Sequence, residues 1–364
     1  MNRYSRRQYL QGLFATSAFL AVGNDNLFAG QSSASAADIT NLKRWRFGIG
    51  ADPARLVGEV QSDRAVRELI EAWKPDFLAG WLNSFDHKQG DLSFWRTWHQ
   101  QGLLSAWFSH GYSLQVITWE DDTALPTGDY HTSKQYLEDL EELASYIRKA
   151  NPQGKATYWT LATEFSYWRM PADTYNRTTA KYYEALMDNL LKARTIIKRQ
   201  LPTAWIGPSW GGWIVTFDHP SRGGGRSMIP PFARILKQMD GIAFQAMRPR
   251  PAGEYNPELK RPDPGNPEQI RQCCEVFSKY NKSLMVSHYE PSIKENHPNG
   301  GRADTVTRDF VIMTRPAWLK TVTRLGLDKF SLMHYGLYKN NPFNALDAAK
   351  TFKGVLQEGE WALK

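Results

Sequence analysis

The chain has 364 residues, of which 45 are lysine or arginine and 37 are aspartate or glutamate, giving a formal net charge of +8. That length accommodates one (β/α)8 barrel with long loops, or two ordinary domains. The sequence has no basic helix stripe, no zinc-binding spacing and no aromatic strand of the RNA-binding kind. This excludes the common nucleic-acid-binding modules. The mild positive excess suits an anionic polymer such as an acidic polysaccharide as partner, and it equally suits ordinary surface charge without a partner.

The first residues have the features of an export signal. Arg6 and Arg7 stand in the run Ser-Arg-Arg-Gln-Tyr-Leu, and the apolar stretch Gly12–Gly23 follows. This stretch is shorter than the about 20 residues that span a bilayer. Small residues at Ala34-Ser35-Ala36 offer a cleavage site. We expect residues 1–37 to be a signal peptide that resembles the bacterial twin-arginine type.

The mature part, residues 38–364, is predicted to be one domain that the twin-arginine machinery exports to the periplasm or the medium. Removal of the signal leaves 42 basic and 36 acidic side chains, and no later apolar run is long enough to insert in a membrane. The two cysteines, Cys273 and Cys274, are neighbours in a predicted helix. Because a bridge between neighbours strains the peptide link, we expect no disulfide, and we expect no metal or cofactor.

Short apolar runs and amphipathic segments alternate along the mature chain. Apolar runs without strict alternation are typical of strands that are covered on both faces. In chain order the predicted elements are strand Arg46–Gly50, helix Asp63–Trp73, strand Asp76–Asn83, helix Leu92–His110, strand Ser113–Glu120, helix Ser133–Lys149, strand Tyr158–Glu164, helix Thr178–Arg199, strand Ala204–Ser209, helix Pro231–Met239, strand Gly241–Met247, helix Pro267–Tyr280, strand Ser283–Glu290, helix Arg308–Leu325, strand Phe330–Tyr335 and helix Phe343–Leu356.

Eight strands alternating with eight helices predict a single (β/α)8 barrel with long loops after the strands. The alternative is an open, doubly wound sheet. That fold usually has a glycine-rich phosphate turn after its first strand, whereas here the first strand leads into Gly48-Ile49-Gly50-Ala51-Asp52, without a third glycine.

Two glutamates stand where predicted strands end. Glu164 closes the fourth strand and Glu290 closes the seventh. In a barrel, the carboxyl ends of all strands meet on one face, which is where active sites lie. Two carboxylates on that face match the requirement of glycosidic bond hydrolysis, in which one group protonates the leaving oxygen and the other attacks or activates water.

This arrangement resembles the retaining glycoside hydrolases of clan A, over about residues 44 to 357 in layout and at the two glutamates in motif. The resemblance implies that Glu164 is the acid/base and Glu290 the nucleophile, with the carboxyl groups about 5–5.5 Å apart. The clan usually has asparagine before its acid/base glutamate, where it holds the sugar 2-hydroxyl. Thr163 stands there in this chain, which implies a different sugar contact.

Other side chains near predicted strand ends are candidates for substrate binding. His288 shares the face of Glu290, because side chains alternate along a strand, whereas Tyr289 should face the other way. Indoles can stack on the C–H faces of sugar rings. The full candidate set is Asn83, Trp81, Trp119, Thr163, Trp168, Trp210, Trp213, Gln245, Arg248, His288, Tyr289, His334 and Tyr335.

Three alternatives stay open at the level of sequence. Glu120 or Asp122, in the acidic run after the third strand, could replace one of the two glutamates. Arginines on the predicted catalytic face, including Arg248, could grip an acidic sugar, which would suit a polysaccharide lyase on an acidic glycan. A barrel that only binds glycan within a polysaccharide export system would keep the tryptophans and tolerate the loss of either carboxylate.

Overall fold

The computed structural model describes residues 45–50, 70–71, 73–83, 92–119, 134–163, 175–177, 179–222, 229–247, 255–256, 260–263, 265–290, 302–333 and 345–358. Eight parallel strands of these residues close into a barrel in the order β1-β8-β7-β6-β5-β4-β3-β2. Their bounds are β1 Arg46–Gly50, β2 Phe77–Asn83, β3 Ser113–Trp119, β4 Thr157–Leu161, β5 Trp205–Trp210, β6 Gly241–Ala246, β7 Ser283–Tyr289 and β8 Leu327–Leu332. The predicted (β/α)8 fold is confirmed.

Helices lie between consecutive strands. They are α1 Leu92–Gln100, α2 Leu103–Ser109, α3 Lys134–Ala150, α4 Ala180–Gln200, α5 Gly212–Val215, α6 Ala233–Leu236, α7 Gly265–Ser278, α8 Arg302–Met313, α9 Pro316–Arg324 and α10 Ala345–Glu358. Residues 70, 71 and 73 are also helical, and Tyr255–Asn256 pairs with Arg261–Pro262 in a small antiparallel ribbon. No helix of the described residues is long and apolar enough to cross a membrane.

Two helices that the sequence predicted as continuous are broken. The segment Leu92–His110 divides at Gly102, whose φ of 75° lies in the left-handed region that glycine adopts without penalty. The segment Arg308–Leu325 divides before Pro316, which has no N–H to continue the ladder. Arg315 is extended, with ψ of 129°, as the residue before a proline prefers.

The last barrel strand runs three residues earlier than the predicted Phe330–Tyr335. It begins at Leu327 and includes Lys329, a charged residue just outside the predicted strand. The Lys329 ammonium is satisfied at the amino-terminal end of the barrel, where it donates to Asp328 at 2.7 Å and lies 5.0 Å from the Trp205 ring centre. Asp328 is the preceding residue, whereas Ser283 Oγ, at 2.6 Å, and the Trp205 ring come from other strands and reach Lys329 only because the barrel closes.

The strands separate two apolar regions. The larger core lies between strands and helices and contains outward residues such as Phe47, Trp159 and Phe330. Smaller clusters fill the barrel interior, one around Phe77 and Tyr158 and another of Ala79, Ile117 and Trp119 with Trp81. Alternation along each strand assigns a side chain to one region or the other, and this decides which candidates can face a substrate at the carboxyl end.

Candidate active site

The end of β7 holds Glu290 at the carboxyl-terminal rim of the barrel. Its backbone N–H donates to the Ala246 carbonyl of β6 at 3.0 Å, and the N–H of Met333, just after β8, donates to the Tyr289 carbonyl at 3.0 Å. Glu290 is therefore fixed by both neighbouring strands although it follows the last residue of β7. Its side chain is 7% exposed. Since Tyr289 packs outward, alternation directs the Glu290 carboxyl towards the barrel axis.

A bulge in β7 brings polar groups into the interior beneath this carboxyl. Phe244 of β6 is opposite Val286, but Gln245 is opposite His288, so Ser287 has no partner in that ladder. A bulge re-aims the residues that follow it. As a result the side chains of two consecutive residues reach interior partners: the Ser287 hydroxyl lies 3.0 Å from that of Ser209, and the His288 ring contacts Gln245.

His288 and Gln245 form a buried side-chain pair in the barrel interior near the end of β7. Gln245 Nε2 lies 2.6 Å from His288 Nε2, and both side chains are buried. The Trp119 ring centre is 6.4 Å from that of His288. An imidazole held this way can donate or accept a hydrogen bond beside the carboxylate. The structure thus brings together three of the predicted site residues, Gln245, His288 and Trp119, in the barrel interior at the end where β7 leads into Glu290.

Trp81 and Trp119 line the interior at the ends of β2 and β3. Trp119 is 4% exposed, whereas Trp81 is half-buried. The Trp81 indole crosses Gly50, where an added Cβ would lie 2.6 Å from its Cη2 atom. Asn83 ends β2 beside Trp119 in the strand register. The Trp81 and Trp119 rings therefore lie at the carboxyl-terminal end of the barrel, where the candidate site is.

The end of β4 is irregular just before Glu164. Ala162 has a φ of 49°, which costs energy in a residue with a Cβ. Its N–H donates to Thr118 Oγ1 at 3.1 Å and to the Tyr136 hydroxyl at 3.3 Å, and the Thr163 N–H donates to the Thr118 carbonyl at 2.7 Å. Strained backbone held by specific bonds is frequent at functional sites.

Thr163 is 1% exposed, and its Oγ1 has no hydrogen-bond partner among the described residues. A buried hydroxyl normally has one, so Thr163 has capacity to bond a substrate hydroxyl. Glu164 itself lies outside the described residues, as do Trp168, Arg248, His334, Tyr335 and the acidic run with Glu120 and Asp122. The separation of the two carboxyl groups stays a prediction.

Two aromatic candidates lie in the layer between strands and helices. Trp210 packs against Phe232, with ring centres 4.7 Å apart, and is 1% exposed. Tyr289 donates its hydroxyl to Asp309 of α8 at 2.7 Å. Trp210 and Tyr289 thus lie in this outer layer, whereas Gln245, His288 and Trp119 lie in the barrel interior. Trp213, in α5 after β5, is half-buried against the same outer core.

Two interior residues and one behind the strands were not among the residues predicted from the sequence. Gln115 spans the barrel, its Nε2 donating to the Ser287 carbonyl at 2.8 Å, and Ser209 meets Ser287 from β5. Gln115 could have been recognised from the sequence, because it is an amide within the apolar run Leu114-Gln115-Val116. Asp309 gave no signal, because an aspartate in an amphipathic helix usually faces water.

Asp309 is completely buried behind the end of β7. Its Oδ2 accepts from the Tyr289 hydroxyl at 2.7 Å and from Asn266 Nδ2 at 2.9 Å, and its Oδ1 has no hydrogen-bond partner among the described residues. Burial raises the pKa of Asp309 from 3.8 to about 7; the two hydrogen bonds lower it in part, and the charge of Asp263 adds to the rise. This carboxyl is therefore protonated in mildly acidic solution.

Within the described residues, no group of three or more histidine, cysteine, aspartate or glutamate side chains is placed to hold a metal ion. The interior group of imidazole, amides and hydroxyls beside one carboxylate can bind a polyol and support proton transfer or nucleophilic attack.

Known proteins resemble this chain in fold. No protein-family model matches the sequence, and no curated protein matches it. Xylanase 10B from Thermotoga maritima superposes with a TM-score of 0.53 at 14% identity, over 91% of this chain and 100% of that one. A mutant xylanase A from P. fluorescens subsp. cellulosa in complex with xylopentaose gives 0.52 at 11%, over 86% and 99%. A psychrophilic glycoside hydrolase family 10 endo-β-1,4-xylanase gives 0.51 at 11%, over 84% and 96%. At these identities the likeness shows a shared barrel fold.

Proposed function

We propose that this chain is a glycoside hydrolase that cleaves a polysaccharide internally by retention, with Glu164 as acid/base and Glu290 as nucleophile. The observation that carries the proposal is the position of Glu290. It stands at the carboxyl end of β7, nearly buried, on the interior side that also holds His288 and Gln245. The strained backbone at Ala162, two residues before Glu164, supports a functional role for the end of β4.

The proposed reaction has two steps. Glu290 attacks the anomeric carbon while Glu164 protonates the leaving oxygen, and water activated by Glu164 then releases the glycosyl group. His288, held by Gln245 beside the nucleophile, bonds a sugar hydroxyl, and Trp81 and Trp119 contact ring C–H faces. Thr163 takes the place of the asparagine that is usual in the resembling clan, and its hydroxyl is available for the sugar.

The substrate is a polymer rather than a disaccharide in this proposal, because the segments between β3 and α3 and between β6 and α7 are long enough to build an extended groove. The structural neighbours are xylanases by name, so xylan is the first polymer to test. Glycans with carboxylate groups come next, since the sequence that follows β5 and β6 contains arginines such as Arg222 and Arg248.

The decisive experiment compares the wild-type protein with Glu290→Gln. New reducing ends are measured on a panel of polysaccharides, and binding is followed by affinity electrophoresis. The amide cannot attack carbon, so turnover should fall by at least about 10³-fold while binding persists. Glu141→Gln, on the exposed face of α3, is the matched control and should keep full activity.

Equal activity of Glu290→Gln and wild type would remove Glu290 from the mechanism. Products that absorb in the ultraviolet, without incorporation of solvent oxygen, would identify elimination and favour the lyase alternative. Binding without any turnover by the wild type would favour a glycan-binding barrel.

We also propose that residues 1–37 direct export by the twin-arginine route, so that the enzyme works in the periplasm or medium. These residues lie outside the described part, and the proposal rests on Arg6-Arg7 and the apolar stretch behind them. Replacing both arginines by lysine should retain the protein in the cytoplasm, as cell fractionation would detect. Export of that double variant at the wild-type level would contradict the assignment.

A further inference from the structure

The buried carboxyl of Asp309 bonds the side chain of Tyr289, which is the residue before Glu290. One oxygen of Asp309 accepts both the Tyr289 hydroxyl and the Asn266 amide, and the side chain is 0% exposed. A buried carboxyl is costly unless its bonds serve the fold or the site. These bonds join β7 to α8, which carries Asp309, and to the first turn of α7, which carries Asn266.

Packing and strand pairing also hold Tyr289. Its ring lies between Phe310 and Phe330, with centres 5.4 and 5.6 Å away. Its carbonyl accepts from the Met333 N–H, and the peptide that follows donates to Ala246. The Tyr289 hydroxyl reaches Asp309 across this layer, and the bond fixes the far end of the side chain. Once it is bonded, the ring and the backbone at 289 have a single orientation, and this orientation sets the origin of the Glu290 side chain.

We propose that Asp309 is a positioning residue for Glu290 and acts through Tyr289. The inference rests on the proposed role of Glu290 as nucleophile. A side chain with one oxygen that accepts two donors is required at 309, because the Tyr289 hydroxyl and the Asn266 amide both point into a dry layer. An apolar residue there removes the acceptor that Asp309 Oδ2 offers to both donors and weakens the hold on the tyrosine.

Three variants test the inference. Asp309→Ala removes the acceptor, and Asp309→Asn keeps an oxygen of the same geometry. Thr323→Val is the control, because it removes another bond between a strand end and a helix, the part-buried one from Trp45 Nε1 to Thr323 Oγ1 at 2.9 Å, at the opposite end of the barrel. Each variant is measured for kcat and KM on the polymer that the wild type cleaves, and for amide hydrogen exchange in the peptide that contains the Glu290 N–H.

Asp309→Ala is expected to lower kcat by about 10- to 100-fold with KM within about threefold of wild type, since displacement of a reacting group costs rate more than binding. Asp309→Asn should restore most of kcat, and Thr323→Val should leave kcat unchanged. The Glu290 amide should exchange faster in Asp309→Ala than in Thr323→Val.

The inference is overturned if Asp309→Ala and Thr323→Val have the same kcat and the same exchange at Glu290, or if Asp309→Asn is as slow as Asp309→Ala. A wild-type protein that cleaves no glycan refutes the proposed function alone. In that case the exchange measurement still decides whether Asp309 fixes the end of β7.

Discussion

Single hydroxyls and carboxyls behind the strands hold the backbone at both candidate strand ends. At β4, the Tyr136 hydroxyl of α3 lies 2.7 Å from Thr118 Oγ1, and both accept the N–H of Ala162. At β7, Asp309 accepts the Tyr289 hydroxyl. In each case the anchored residue stands one or two positions before a glutamate. The residues that a substrate would meet are thus held from the opposite face of the sheet.

Tyr136→Phe tests the anchor at β4. It removes one of two acceptors for the strained Ala162 N–H and the partner of Thr118, so unfolding free energy should fall by about 1–3 kcal/mol in denaturant titration. Tyr146→Phe is a matched control on the same helix, because the Tyr146 hydroxyl bonds Glu142 at the surface. Its cost should be under about 1 kcal/mol. A Tyr136→Phe variant as stable as Tyr146→Phe would show that the Tyr136 hydroxyl does not stabilise the end of β4.

At the scale of elements, local sequence decides where helices stop and long-range contact decides where strands bend. Gly102 and Pro316 break two helices at positions that their own chemistry explains. The bulge at Ser287 in β7 has no comparable local cause. The bulge arises where β7 pairs with β6. Because of it, the side chains of both Ser287 and His288 contact residues in the barrel interior.

The packing of α8 on β7 gives the fold a dependence on pH. The pKa of Asp309 is about 7 in the folded chain and 3.8 in its ordinary state. Between these values the folded state keeps a proton that the unfolded state has released. Stability therefore falls as pH rises from about 4 to 7, by on the order of 1.4 kcal/mol per unit, and is level above.

Asp309→Asn should abolish this contribution, because the amide does not titrate. The difference in unfolding free energy between the variant and the wild type should grow in the variant's favour from pH 4 to pH 7 and then stay constant. Chemical denaturation at several pH values measures it. A constant difference over the whole range would contradict the raised pKa.

The whole molecule depends on large and small side chains alternating across the barrel interior. Gly48 makes room for Phe77, and an added Cβ there would lie 2.0 Å from Phe77 Cε2. Gly50 does the same for Trp81, and Gly241 for Trp205, with separations of 2.6 and 2.1 Å. Close packing of this kind leaves no space for an extra methyl group.

Gly48→Ala should cost about 3 kcal/mol or more of unfolding free energy, at the upper end of the cost of overpacking, since Phe77 is buried against Tyr158 and cannot retreat. Gly154→Ala is the comparison. An added Cβ meets nothing within 4 Å there, so only its φ of 64° penalises alanine, by about 1–2 kcal/mol. Thermal unfolding of both variants ranks them, and an equal loss would mean that the interior can repack.

The sequence by itself determined the order of strands and helices, the barrel class and the position of Glu290 at the end of β7, because hydrophobic period and helix-breaking residues are local properties. Only the tertiary structure decided which neighbours meet. Gln115 and Ser287 are 172 residues apart and touch because the sheet closes on itself. The outward position of Trp210, the interior Lys329 and the contact of Asp309 with Tyr289 arise in the same way. Each depends on register and closure, which couple distant parts of the chain and leave no mark in a short stretch of it.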